Sequence, residues 1–182
     1  MDKKMNIPIT KEQARGLIVG ERLLLSGIMY TARDAAHKRL LEEIDEKTSI
    51  PIDIQDISIY YAGPAPSKPG QVMGSCGPTT SGRMDLYAPR MMELGQTMMI
   101  GKGLRNQEVI DAMKTYGAVY VTAIGGAGAL LAKCIKEAQC VGYEELGAEA
   151  IYKLTVEDFP VIVTIDTDGN NLYEIGKNDY CK

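Results

Sequence analysis

The sequence predicts an α/β domain with a mixed sheet, on three observations. Strand-like apolar runs and helical patterns interleave along the chain. Its C-terminal part reads as a run of strands, which adds an antiparallel end. With 182 residues and neither repeats nor a low-complexity linker, the chain has room for one core and one domain, 1–182.

Each element has a local reason. "KMNIPI" reads as a first short strand, and Thr10 as the cap of a brief helix "KEQARGL". "ERLLLSGIMY" is a strand whose partly continuous apolar run suits a buried position. Thr31 then reads as the N-cap of "TARDAAHKRLLEEIDEK", with Asp34 three residues on completing a capping box. Ala35, Leu40, Leu41 and Ile44 form that helix's apolar stripe. "IDIQDISIYYAG" alternates as a strand does and ends at the Pro/Gly-dense loop "GPAPSKPG".

A helix from about Gly82 to Leu94 is expected next, stopped by Gly95. "TMMIGKG" is a short apolar strand, and Asn106 caps "QEVIDAMKTY", which stops at Gly117. "AVYVTAIGGAGALLAKCIKEAQC" reads as strand, glycine turn and helix. "AEAIYKLTV", "FPVIVTID", the "TDGNN" turn and "LYEI" read as a β-meander.

Composition narrows the function. At 45% hydrophobic and 24% charged, the chain is an ordinary globular one. A net charge of −4 argues against a general nucleic-acid or membrane-surface binder, yet leaves room for a local site for a small anion. No apolar run approaches bilayer length and "MDKKMNIPIT" lacks a signal-peptide core, so the expected location is cytoplasmic. Cys76, Cys134, Cys140 and Cys181 are too scattered for a disulfide scaffold or for metal-ligand spacing. The ten methionines read as core packing.

Three cations share a setting. Arg33 falls in a helix first turn just after a strand, and Arg83 does the same after the loop "CGPTTS". Lys102 lies between Gly101 and Gly103 at a strand end. Singly, each reads as solvated or paired with a nearby acid, and Asp34 and Asp85 stand close by. Jointly they point to a small polyanion. A cation at a helix start is unfavourable unless an anion sits between it and the free N–H groups, and an arginine grips a carboxylate through two parallel bonds. A dicarboxylate or a phosphate fits equally at this point.

Other motifs carry less. "GGAG" (125–128) lacks the lysine and hydroxyl of a phosphate loop and reads as close backbone packing. His37, the sole histidine, reads as structural rather than as a general base. A threonine hydroxyl is a poor base without an activating group, so chemistry alone makes Thr79 and Thr80 turn and cap residues.

"GPTTSGRMDLYAP" followed by "MIGKG" resembles the β subunit of the two-subunit class I fumarases and of L(+)-tartrate dehydratase. The likeness extends to "LLLSGIMYTARDAAHKRL", "YYAGPA", "AVYVTAIGGAGALLA" and "DFPVIVTIDTDGNNLYEIG", nearly the whole chain in order. It implies a swivelling β/β/α domain closing over a partner α subunit that carries a 4Fe-4S cluster through three cysteines, with no metal held by this chain. It also implies reversible addition of water to fumarate to give L-malate, with the cluster's open iron as Lewis acid.

The resemblance puts Arg33, Arg83 and Lys102 on the carboxylates of a small dicarboxylate. Thr79 would take part in proton transfer, helped by an acid of the α subunit. A symmetric αβ oligomer is the natural assembly. Within the enzyme class, L(+)-tartrate dehydratase, converting tartrate to oxaloacetate, is the alternative, and mesaconate is a further related substrate. A non-catalytic anion-binding module is the reading of another class.

Overall fold

A computed structural model of the chain describes residues 2–180. Strand β1 (Lys3–Ile7) pairs in parallel with β2 (Arg22–Thr31), and helix α1 (Lys11–Arg15) lies between them. Thr10 caps α1 through a full capping box: its hydroxyl accepts from Gln13 N at 3.2 Å, and Gln13 Oε1 accepts from Thr10 N at 2.9 Å. Helix α2 (Asp34–Asp45) leads to β3 (Ser58–Tyr60), and α3 (Ala88–Glu93) to β4 (Met98–Gly101). Helix α4 (Gln107–Tyr116) leads to β5 (Val119–Thr122), so β2, β3, β4 and β5 are successive parallel neighbours. Helix α5 (Gly128–Lys133) then precedes β6 (Ile135–Gly142).

The last strand closes the sheet. β7 (Ile151–Ile165) is antiparallel to β2 along one edge and to β6 and β5 along the other. The sequence β2–β3–β4–β5–β7–β2 is therefore a closed ring. Period-two alternation sorts its side chains: Tyr60, Met98, Ile100, Val119 and Val121 join one core with Leu23, Leu25 and Val163. Ile59, Tyr61, Met99 and Tyr120 face the other way and pack with Leu40 of α2, Met91 of α3 and Met113 of α4. Strands buried on both faces read as unbroken apolar runs, as parallel strands covered by helices do.

The capping of α4 holds as expected. Asn106 Oδ1 accepts from Val109 N at 2.9 Å, and Gly117 ends the helix at φ 73°. Five expectations need correction.

Thr31 is not the cap of α2. It ends β2, its hydroxyl takes the Tyr152 N–H at 3.0 Å, and the N-cap position belongs to Arg33 without a side-chain bond of its own. The first-turn N–H of Ala35 goes to Glu149 Oε2 at 3.0 Å, an acid 114 residues away. The helix buries Ala36, His37 and Leu40, so its stripe turns one position from Ala35.

The expected helix from Gly82 is split into a 3₁₀ turn at Ser81–Met84 and α3, because Pro89 lacks an N–H and restarts the helix in its first turn. Of "IDIQDISIYYAG" only Ser58–Tyr60 is strand; Ile52, Ile54 and Ile57 are buried from a loop.

The helix in "GALLAKCIKEAQC" stops at Lys133, and β6 takes the rest, because edge pairing with β7 overrides the helical preference of Lys-Glu-Ala-Gln. The meander is one long strand. It shifts register near Glu157–Asp158, where Asp158 adopts φ 49° and donates its N–H to Ser26 Oγ at 3.0 Å. "LYEI" opens α6 (Leu172–Tyr180), whose first turn is held by Asn171 Oδ1 accepting from Tyr173 N at 3.1 Å.

Candidate functional site

The candidate residues gather where the parallel strands end. Arg33 follows β2, Tyr61 follows β3, Lys102 follows β4, and the 123–128 loop follows β5. Carboxyl ends of parallel strands are where open α/β sheets present ligand-binding loops.

The Thr79–Arg83 segment is laid across this edge by backbone bonds. Thr79 N donates to Tyr61 O at 2.7 Å, extending the line of β3. Thr80 bridges in parallel to Lys102, and Ser81 N donates to Lys102 O at 2.9 Å. Lys102 N in turn donates to Ser81 Oγ at 3.1 Å. Gly101 makes this contact possible, since a Cβ there would stand 1.9 Å from Ser81 Oγ.

Beneath the segment, Cys76 N donates to Gly128 O at 3.1 Å and Tyr60 Oη donates to Cys76 O at 2.7 Å. A Cβ on Gly128 would approach Ser75 Oγ to 2.6 Å, so this glycine of "GGAG" serves close packing, as the sequence suggested.

The cations divide into two kinds. Arg33 and Arg83 lie in a chain of charges with two acids. Arg33 Nη2 is 3.1 Å from Glu149 Oε1 and 3.8 Å from Asp34 Oδ2, and Arg83 Nη2 is 2.8 Å from that same oxygen. The Arg83–Asp34 approach is close in distance but misaligned for a hydrogen bond, and Asp34 Oδ2 and Arg33 Nε are buried without a hydrogen-bond partner.

The sequence pairing of each arginine with its neighbouring acid holds in part. Arg83 turns to Asp34 and not to Asp85, which pairs with Arg105 at 2.6 Å. Arg33, Arg83 and Arg105 each have a carboxylate partner, whereas Lys102 makes no ion pair among the described residues. Its ammonium lies beside the 123–128 loop, 3.9 Å from where a Cβ of Gly125 would stand.

Arg83 sits in a 3₁₀ turn, so the helix-dipole part of the expectation lapses for it. Glu149, which ties Arg33 to the start of α2, gave no signal in the sequence, because its partners are more than a hundred residues away.

His37 is wholly buried beneath Arg33, with its ring 5.4 Å from Tyr61 and 5.9 Å from Tyr87. Its Nδ1 lies 2.8 Å from Arg33 O; a carbonyl only accepts, so Nδ1 carries the proton and Nε2 is bare and unpartnered. Burial pulls its pKa down to about 4, against smaller opposing effects of the Arg33 carbonyl and Asp34. The ring is neutral and packed, as a structural histidine is. Burial also raises the Cys76 thiol to about 12.

Among the described residues no three His, Cys, Asp or Glu side chains group as a metal site, and no helix is long and apolar enough to cross a membrane. Cys76 is buried under the loop, Cys134 precedes β6, Cys140 lies within it, and Cys181 lies outside the described residues. A cavity of about 340 Å³ lies apart from these residues, between Pro64–Ser67, Met73 and Tyr152. The cationic edge is an open shelf. On it Arg33 and Arg83 meet through Asp34, and Lys102 is joined through its backbone to Ser81, two residues before Arg83.

A family model described as Fumarase C-terminus matches residues 2–176. The aerobic class I fumarate hydratase of Salmonella typhimurium is 42% identical over 181 residues, covering 97% of this chain and 31% of that protein. The anaerobic class I fumarate hydratase of Escherichia coli is 46% identical over 165 residues, covering 90% and 30%. A putative L(+)-tartrate dehydratase subunit beta of Methanocaldococcus jannaschii is 38% identical over 181 residues, covering 96% and 93%. The chain thus spans about a third of the length of the curated fumarate hydratases it matches, and nearly all of the tartrate dehydratase subunit. With the family model matched from residue 2 to 176, the chain belongs to the fumarase C-terminus family.

Proposed function

We propose that this chain is the β subunit of a hydro-lyase that adds water reversibly to fumarate, giving L-malate, and that it supplies the substrate-carboxylate site to a partner α subunit. The observation that carries this reading is the convergence of Arg33, Arg83 and Lys102 with Thr79 on one sheet edge. The unpartnered, buried Arg33 Nε supports it, because leaving such a donor unpaired costs about 1–3 kcal/mol unless a ligand takes it up.

In this reading the two guanidiniums grip the carboxylates through paired N–H groups, and Lys102 adds a point charge that steadies the carboxylate as negative charge builds on it. Asp34 and Glu149 balance the arginines until the dianion arrives. Thr79 handles the proton on the carbon beside the carboxylate. Its hydroxyl ionises far above neutral pH, so its base comes from the partner.

Exposed Leu86, Leu104 and Ile124 lie next to Arg83, Lys102 and the end of β5, and they support a partner covering this face, with the domain swivelling onto it. The 4Fe-4S cluster that the resemblance implies does not fit this chain: among the described residues its cysteines stand apart and no three metal-binding side chains group. The cluster would then be held by the α subunit. A symmetric αβ oligomer follows from pairing such subunits.

The near full-length match to a tartrate dehydratase subunit favours a second reading, the same site acting on L-tartrate. The test is a hydro-lyase assay on the complex purified anaerobically with this chain tagged. Conversion of fumarate supports the first reading and preference for L-tartrate the second. A chain that captures no partner and acts on neither reduces the shelf to an anion-binding module.

A further inference from the structure

We propose that the buried Arg105–Asp85 ion pair is a positioning device that fixes Arg83 and Lys102 relative to one another; this rests on the reading of those two cations as carboxylate-binding. The two segments of the shelf are zipped side by side. At one end Thr80 and Ser81 pair with Lys102. At the other, Asp85, two residues past Arg83, meets Arg105, three residues past Lys102, with Nε 2.6 Å from Oδ1. The second oxygen of Asp85 accepts from Asn106 N at 2.8 Å, so one carboxylate holds both the side chain and the backbone of the facing segment. Arg83 thus lies between the two fixed points of its segment, and Lys102 is itself one of the fixed points of the other.

The surroundings make the pair stiff. The Arg105 side chain is 0% exposed, and its guanidinium lies 5.0 Å from the Tyr120 ring and 5.4 Å from the Tyr61 ring. Tyr120 Oη is 2.9 Å from both Ser81 Oγ and Gly103 O. Gly103 O can only accept, so the tyrosine proton goes there, the Ser81 proton goes to Tyr120, and a Ser81 lone pair is left for Lys102 N–H. Tyr120 thereby reaches both ends of the zip.

A buried ion pair is poor value for stability, since apolar residues of similar volume serve as well or better. What it adds is direction. A planar fork and a carboxylate lock distance and angle together, and a displacement of about 1 Å at a binding group costs about a hundredfold in rate.

The experiment uses the anaerobically assembled complex with R105K and the charge-free double variant R105M/D85N, which leaves no orphaned buried charge and keeps an acceptor for Asn106 N. The proposal expects both variants to assemble with the partner, with kcat/KM lowered about tenfold or more and R105K the less impaired. An assembled double variant within about twofold of the parent would overturn it and leave the pair a purely structural one.

Amide exchange on the tagged chain gives a readout independent of turnover. Ser81 and Lys102 N–H should lose protection in R105K while Val121 keeps it, and unchanged protection at Ser81 and Lys102 would also overturn the proposal. If the parent complex turns over neither fumarate nor L-tartrate, the proposed function fails on its own account, and the exchange result still decides whether the pair holds the two segments together.

Discussion

Asp34 Oδ2 stands 2.8 Å from Arg83 Nη2 and 3.8 Å from Arg33 Nη2, so a single carboxylate spans two arginines that are fifty residues apart in the chain. Asp34 is the third residue after β2, and Arg83 is delivered by the segment that crosses the ends of β3 and β4. The acid keeps two like charges close together with no ligand bound. Asp34→Asn keeps the shape and removes that balance.

The variant should be less stable by about 1 kcal/mol, and added phosphate should raise its Tm more than it raises the parent's. Thermal unfolding with and without phosphate checks both. Equal phosphate shifts in the two proteins would mean that Asp34 does not compete for the guanidiniums.

His37 predicts a pH dependence of stability. Its ordinary pKa of 6.5 is lowered to about 4 in the fold by burial. Between those values the unfolded chain binds a proton that the folded chain refuses, so stability falls as pH drops through that window. The whole effect is about 3 kcal/mol. Urea unfolding of the parent and of His37→Gln at pH 7 and near pH 4 isolates it, because carboxylate contributions are common to both. The parent should lose more stability on acidification than the variant; parallel losses would contradict the assignment.

Cys76 adjoins the candidate loop, yet it is buried, and its thiol is held up at about 12 by that burial. Iodoacetamide at pH 8 should leave Cys76 unmodified in the folded chain while it modifies Cys140 on the edge strand β6. Peptide mass spectrometry reads both. Early labelling of Cys76 would show that the loop opens on the timescale of the reaction.

Gly101→Ala tests the zip between the two loops from the backbone side. A Cβ there meets Ser81 Oγ at 1.9 Å, so the contact must open. The variant should lose about 1–3 kcal/mol of stability, as other overpacked sites do. A melting temperature equal to the parent's would show that the two segments separate without cost.

The sequence was readable where a local signal decides the structure. The Thr10 cap, the Asn106 cap and the Gly117 stop all lie within a turn of the element they control. The same holds for the glycine-flanked Lys102 at the end of β4. Where the deciding partner is distant, the sequence misled. Thr31 looked like a cap, but its hydroxyl is taken by β7 while Glu149 supplies the acceptor for α2. Lys-Glu-Ala-Gln favours a helix, but β7 claims it as an edge strand.

The arginines were visible as candidates; which acids they meet was only partly so, because Arg83 turns to Asp34, which also stays near Arg33, and Asp85 turns to Arg105. Sequence resemblance supplied the role of Thr79, which neither its spacing nor its chemistry indicated.

The most direct test of the account is kcat/KM of the anaerobically assembled complex carrying Arg83→Ala, measured on whichever of fumarate and L-tartrate the parent prefers. The account predicts a loss of roughly 3 kcal/mol or more of transition-state stabilisation, a fall of over a hundredfold, with assembly intact. A complex that assembles normally and turns over at near-parental kcat/KM would contradict the claim that this sheet edge binds the substrate's carboxylates.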